Sequence, residues 1–238
     1  NVLDSLEGYR RVLGQRRQAR CAQQSANRVA DEELAGLGGG ANARREIRER
    51  MNHRGEVVTP LDRDSAAAAI DRLLAEGVES IAVCFLHAYA NPAHEAQVGA
   101  MIRERAPGLS LTLSSEILPE MREFERTSTA VTNAYVMPVM GRYLASLEGE
   151  LHKLEATAPL LIMQSNGGVM TAEGGRQRPV HVIESGPAAG VIATAALARA
   201  IAAPNALSIE MGGTTAKAGV IHRGQVLMTG SSMVGGYA

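Results

Sequence analysis

Between Gly55 and Gly230 the apolar positions follow two rhythms in turn. The stretch LDRDSAAAAIDRLLAEGV sets Ile70, Leu73 and Leu74 at helical spacing, behind Asp62 as N-cap and ahead of Gly77 as stop. SIAVCFLH follows as an unbroken apolar run, the pattern of a strand buried on both faces. NPAHEAQVGAMIRERAPG predicts a second helix, with Asn91 as cap, Pro92 at its first position and Pro107-Gly108 at its end. LSLTLSS predicts another strand. Helix, strand, helix, strand at this spacing means an α/β layered domain with at least partly parallel strands.

A helical stretch from Glu120 to Glu155, broken near Pro138, comes next. PLLIMQSNGG then reads as a strand running into a glycine turn. PVHVIESGPAAGVIATAALARAIA predicts a short strand, a turn and an alanine-rich helix starting at Pro187. ALSIEMGGTTAKAGVIHRGQVLMTG closes the pattern as successive strands, with a tight hairpin connection around Gly224. Residues 1–57 are the least readable. There the arginine-rich stretches GYRRVLGQRRQAR and NARREIRERMNHR flank the glycine run ELAGLGGGAN, which reads as solvated surface and linker.

Composition narrows the function classes. A formal net charge of −1 gives no overall attraction to nucleic acid or to an anionic membrane, and Asp31, Glu32, Glu33, Glu46 and Glu49 interleave the arginines. Aromatic residues are 3% of the chain and Trp is absent, which argues against stacking platforms for bases. Two cysteines, Cys21 and Cys84, are too few for a disulfide framework or a cysteine metal cluster, and fit a reducing, cytoplasmic setting. No apolar run is long enough to span a bilayer. The first residue is Asn and the chain ends at VGGYA, so the expectation is an internal piece of a longer protein. The six histidines show no metal-ligand spacing.

Four stretches offer chemistry. In SIEMGGTTAKAGVI, a turn of Gly212, Gly213, Thr214 and Thr215 presents backbone N–H groups and two hydroxyls in one concavity, which suits phosphate oxygens. Glu210 on the leading strand suits a water on Mg²⁺, and Lys217 suits charge neutralisation. The alternative is a plain turn between strands. In ESGPAAGVIATAA, Gly186, Pro187 and Gly190 open a helix of small residues, which fits either an anion at its free N–H groups or tight packing on a sheet. In MQSNGG, Ser165 and Asn166 end a strand where α/β sheets place ligands, or simply form an Asn-Gly turn. In EFERTSTAVTNAYVMP, Glu123, Thr127 and Asn133 keep roughly to one helix face with Arg126 beside them, as a pocket wall or a packed polar seam.

Taken in order, FLHAYANPAHE, LSSEILPEMREFERTSTAVTNAYVMP, LLIMQSNGGVM, ESGPAAGV and EMGGTTAKAGVI together resemble the hydantoinase A/5-oxoprolinase family. The resemblance runs from about Gly55 to Gly230; before it only GYRRVLGQRRQAR looks similar, and Gln23 to Arg45 looks foreign. It implies an actin-like ATPase (ribonuclease H-like) fold, present as an incomplete fragment. The implied division is an α/β domain over 58–178 and the start of a second actin-like half over 179–238. Such folds clamp nucleotide phosphates between two glycine hairpins, of which Glu210 to Lys217 matches the second. The implied cofactors are ATP and Mg²⁺, with Gly212, Gly213, Thr214, Thr215, Gly186, Pro187 and Gly190 around the phosphates. Glu210 and Lys217 then carry the catalytic roles, and Ser165, Asn166, Glu123, Arg126 and Asn133 are substrate-pocket candidates. The implied activity is ATP-dependent opening of a cyclic amide such as a hydantoin or 5-oxoproline, by phosphate transfer to the amide oxygen, alongside a hydantoinase B-type subunit or domain. The alternatives are a ketone carboxylase subunit and a non-catalytic, partner-binding remnant. Two positions depart from the family pattern: its leading acid is usually Asp where this chain has Glu210, and many members carry Asp where this chain has Lys217.

Overall fold

The computed structural model describes residues 20–23, 44–213 and 215–228. They fall into two compact units that divide between Tyr143 and Leu144. The boundary expected between residues 178 and 179 lies inside the second unit, where Arg178 N–H donates to the Gly174 carbonyl at 2.9 Å.

In the first unit three parallel strands form one sheet in the order β1 (Arg20–Gln23), β4 (Ser80–Cys84), β5 (Ser110–Leu113). All five residues of β4 are buried, as an unbroken apolar run requires. Helix α1 (Arg63–Ala75) starts where the sequence predicts: the Asp62 side chain accepts from the N–H groups of Asp64 and Ser65. It stops at Gly77, whose φ of +70° is the left-handed conformation that glycine adopts cheaply. Helix α2 (Ala93–Arg105) begins one residue later than expected, after Pro92, with the Asn91 side chain accepting from Ala93 N–H at 3.0 Å. Ile70, Leu73, Ile81, Val83, Val98, Ile102 and Leu113 join in one core between these helices and the sheet.

The reading of residues 1–57 as surface and linker is corrected here. Arg20–Gln23 is a strand of the parallel sheet, and β2 (Arg50–Met51) pairs antiparallel with β3 (Val57–Thr59). Ile47 and Met51 are buried, and so is Glu49, whose carboxylate meets His94 Nδ1 at 2.7 Å. Inward-pointing residues here are separated by arginines, so composition hid the pattern that burial follows.

A short helix α3 (Ser114–Ile117) leads to the long helix α4 (Glu123–Lys153), which runs across the division between the units. The break expected near Pro138 does not occur. Proline removes one backbone hydrogen bond, but a helix of 31 residues keeps the others, and Ala130, Ala134 and Leu144 bury its inner side.

The second unit holds the hairpin β6 (Leu161–Met163) and β7 (Val169–Thr171), then helix α5 (Ala172–Gln177). The strand expected in PVHVI is instead a 3₁₀ turn, Pro179–Val182, whose leading proline fits a helical turn and cannot donate to a ladder. Helix α6 (Ser185–Ala200) begins two residues before the expected Pro187. The antiparallel sheet β8 (Ala206–Met211), β9 (Ala216–His222) and β10 (Gln225–Val226) packs one face on α6. Its last turn has φ of +52° at Arg223 and +77° at Gly224, the two left-handed positions of a tight hairpin. On the outer face Leu207, Ile209 and Met211 are 67%, 74% and 78% exposed, so this sheet is covered on one side only among the described residues.

Candidate site at the glycine turn and the start of helix α6

Register fixes the glycine turn. Glu210 stands directly opposite Lys217, and Met211 opposite Ala216. Gly212 N–H then donates to the Thr215 carbonyl at 3.0 Å and closes the turn. Gly212, Gly213 and Thr215 are exposed; Thr214 lies outside the described residues. Among the described residues a Cβ built on Gly212 or Gly213 meets no atom within 4 Å, so nothing described there crowds the turn.

Because side chains alternate along a strand, Ser208, Glu210, Lys217, Gly219 and Ile221 share the face turned to α6. Gly219 allows the contact. A Cβ there would overlap Val191 Cγ2 and stand 2.9 Å from Cγ1. Gly167, with φ of +88°, does the same from the β6–β7 turn, where a Cβ would lie 2.6 Å from Ile192 Cδ1. The tight packing of α6 therefore rests on Gly219 and Gly167. Gly186 and Gly190, which the sequence offers equally to packing or to a ligand, face open space among the described residues.

At the start of α6, Glu184 has φ of 64° and ψ of 19°, a left-handed conformation unusual for a residue with a side chain. Its carboxylate makes no capping bond to the helix and instead pairs with the Lys217 ammonium. The first intrahelical bond is Ala188 N–H to the Glu184 carbonyl, and Pro187 has no N–H. The N–H groups of Ser185 and Gly186 thus find no acceptor among the described residues. This ion pair joins the glycine turn to the helix start, two stretches that sequence could only place in order. Glu184 is the site residue that sequence reasoning missed; its only sequence signal is an acid just before a small-residue helix start.

The remaining candidates take other roles. Ser165 donates through both its N–H and its hydroxyl to the His181 carbonyl, each at 2.7 Å, and Asn166 accepts from Gly168 N–H at 2.8 Å. Both side chains take part in the turn that Gly167 packs against α6. Burial lowers the affinity of the His181 imidazole for a proton below its usual range, and nearby Arg178 adds to the effect.

Glu123, Arg126 and Asn133 belong to the first unit. Arg126 is 1% exposed and donates to Ser114 Oγ at 3.1 Å, the Glu120 carbonyl at 3.1 Å and the Phe85 carbonyl at 2.7 Å. Asn133 is buried and donates to Thr112 Oγ1 at 3.0 Å. Of the two readings the sequence leaves open, the packed polar seam describes these two: they hold α4 to the strand ends. Glu123 alone stays half-exposed, 3.8 Å from His87 Nδ1. His87 has φ of 57°, and the Tyr89 hydroxyl is 3.4 Å from the same nitrogen. This polar group follows the carboxyl end of β4, a position that sequence alone did not distinguish.

The implied phosphates and cation can be tested against these residues. Open glycines, two unsatisfied N–H groups and Lys217 fit phosphate oxygens. Glu184, Glu210 and Lys217 together carry one net negative charge when ionised, so a polyphosphate would need an accompanying cation. Among the described residues no group of three or more His, Cys, Asp or Glu forms a metal site. Glu210 makes no ion pair there and suits the Mg²⁺ habit of keeping several waters while leaning on one carboxylate and on phosphate.

The sequence profile described as Hydantoinase/oxoprolinase matches residues 126–238, and that of the Hydantoinase/oxoprolinase N-terminal region matches residues 6–106. The chain belongs to the hydantoinase/oxoprolinase family. The N-terminal match passes through the segment from Gln23 to Arg45 that looked foreign. The alpha subunit of caprolactamase from Pseudomonas jessenii is 37% identical over 172 residues, 72% of this chain and 25% of the subunit. The crystal structure of the ATP-dependent caprolactamase from that organism superposes with a TM-score of 0.77 at 30% identity, over 85% of this chain and 32% of that one. The 5-oxoprolinase of Saccharomyces cerevisiae is 39% identical over 137 residues, 57% of this chain and 10% of that enzyme. The acetophenone carboxylase gamma subunit of Aromatoleum aromaticum is 28% identical over 174 residues, 71% of this chain and 24% of the subunit. The chain thus spans a third or less of each of these family members. No helix among the described residues is long and apolar enough to cross a membrane.

Proposed function

We propose that this chain is part of the ATP-binding subunit of a cytoplasmic enzyme that opens a cyclic amide, with the glycine turn and the start of α6 as one half of a phosphate clamp in an actin-like fold. The observation that carries this reading is the meeting of the open turn at Gly212 and Gly213 with the open helix start at Gly186 and Gly190, joined by Lys217. Gly212 N–H closes the turn on the Thr215 carbonyl, while backbone N–H groups of Ser185, Gly186 and Gly213 donate to phosphate oxygens. Lys217 offsets their charge, and Glu210 holds a water of the Mg²⁺ that accompanies them. An amide is a poor electrophile because its nitrogen feeds electrons to the carbonyl, and phosphate placed on its oxygen supplies the driving force that water lacks at neutral pH. The chain's own contribution is then to position and neutralise phosphate.

The cyclic-amide reading is preferred to ketone carboxylation because the lactamase subunit is the more similar at comparable coverage, 37% against 28% identity. A hydantoinase B-type subunit or domain is the proposed partner. The test is phosphate release from ATP by the full-length parent protein with that partner, in the presence of caprolactam, 5-oxoproline or hydantoin, or of a ketone with bicarbonate. Release stimulated by a cyclic amide is expected. Stimulation only by ketone and bicarbonate assigns the carboxylase reading, and no release with any substrate assigns the non-catalytic one.

A further inference from the structure

Glu184 is the residue at the candidate site whose geometry needs a reason. It departs from the usual backbone region, leaves the helix it begins without a side-chain cap, and gives its carboxylate to Lys217. Lys217 in turn pairs with Glu184, although Glu210 is its cross-strand neighbour on the same face. Both partners are substantially exposed, at 36% and 53% for the side chains, so the pair is cheap to open.

We propose that Glu184 is an internal anion that occupies Lys217 until phosphate oxygens displace it, and so biases the site towards polyphosphate over singly charged anions. The inference rests on the phosphate reading above. A ligand arriving at the glycine turn meets an ammonium already neutralised, and must outcompete a tethered carboxylate to reach it. A polyphosphate does so because it also bonds the N–H groups of Ser185 and Gly186, which have no acceptor among the described residues. A small monoanion can replace the carboxylate but brings little beyond what it displaces. The left-handed backbone at Glu184 is what aims its side chain across to the strand, rather than back along the helix.

The test is titration of this chain with sodium tripolyphosphate and, separately, with acetate, followed by backbone amide shifts of Gly186, Gly212 and Gly213. Glu184→Gln removes the charge. Glu184→Asn also removes it and suits the left-handed backbone, so a folding defect in the first variant does not decide the outcome. In both variants tripolyphosphate affinity is expected to rise about two- to fivefold, the scale of an exposed ion pair. Acetate affinity should rise by a larger factor, which narrows the preference; an equal rise for both ligands would overturn the claimed bias. Adding Lys217→Gln to either variant should abolish the gain. If wild type binds tripolyphosphate and both variants bind it equally or more weakly, Glu184 is a structural tie and the proposal is overturned. If no form binds tripolyphosphate, the phosphate reading falls first and takes this proposal with it.

Discussion

Gly219→Ala tests the contact that sets α6 against the sheet and thereby holds Lys217 near the helix start. The added methyl overlaps Val191 Cγ2, lies 2.9 Å from Cγ1, and stands 3.2 Å from Val191 Cβ. Real Cβ atoms do not approach carbon so closely, so the helix must move or Val191 must leave its rotamer. Overpacking of this kind costs about 1–3 kcal/mol, and the upper part of that range applies because both valine methyls are in the way. Val191→Ala removes both methyls and leaves only the 3.2 Å neighbour. In the double variant most of the alanine penalty at position 219 should vanish, giving a favourable coupling of about 1–2 kcal/mol. Gly190→Ala on the same helix is the control. It meets nothing within 4 Å, so it should be stabilising by up to about 1 kcal/mol through helix propensity. Urea unfolding at constant m value reads all four proteins. A Gly219→Ala protein as stable as wild type, or a penalty that survives Val191→Ala, would refute this packing argument.

Glu95→Ala should be the most damaging single change in the first unit. The fully buried Glu95 carboxylate accepts from Phe85 N–H at 2.8 Å, Ser114 Oγ at 2.6 Å, and Ser115 N–H and Oγ at 2.9 and 2.7 Å. Stranding these donors should cost about 3–5 kcal/mol; a shift in the urea midpoint worth under about 1 kcal/mol would show the network to be dispensable. His181 should make the second unit acid-sensitive. Its imidazole titrates below the ordinary 6.5 when folded, so as pH falls through 6.5 the unfolded chain takes up the proton first and stability is lost. Glu49 contributes with the opposite sign: burial raises its carboxyl above 4.5, so its share of stability declines as pH rises past that value. Melting temperatures at pH 7.5 and 5.5 should show a smaller acid loss in His181→Gln than in wild type. An unchanged loss would remove His181 from the explanation.

The parts of the fold that depend on neighbours in sequence were legible. Asp62 and Gly77 bracket their helix, the run from Ser80 to Cys84 is a buried strand, and the turn at Gly224 is a hairpin. The parts that depend on distant partners were not. Ile47 and Glu49 look like members of an arginine-rich surface until their burial beside α2 is seen. Val180 to Ile183 alternate like a strand, yet Pro179 begins a 3₁₀ turn there. Arg126 and Asn133 share a polar face with Glu123, and only packing against β4 and β5 shows that the first two are interior. At the candidate site, sequence picked out the open glycines Gly186, Gly190, Gly212 and Gly213. It gave no means of seeing that Gly219 makes the close approach, or that Lys217 is held by Glu184.

The most direct measurement is an amide-resolved titration of this chain with Mg²⁺ and ATP. Saturable shifts centred on Ser185, Gly186, Gly212 and Gly213 are expected, with affinity weakened at least severalfold by Lys217→Gln. Shifts that saturate elsewhere and leave these four amides unmoved would contradict the phosphate-clamp reading, as would binding indifferent to the loss of Lys217.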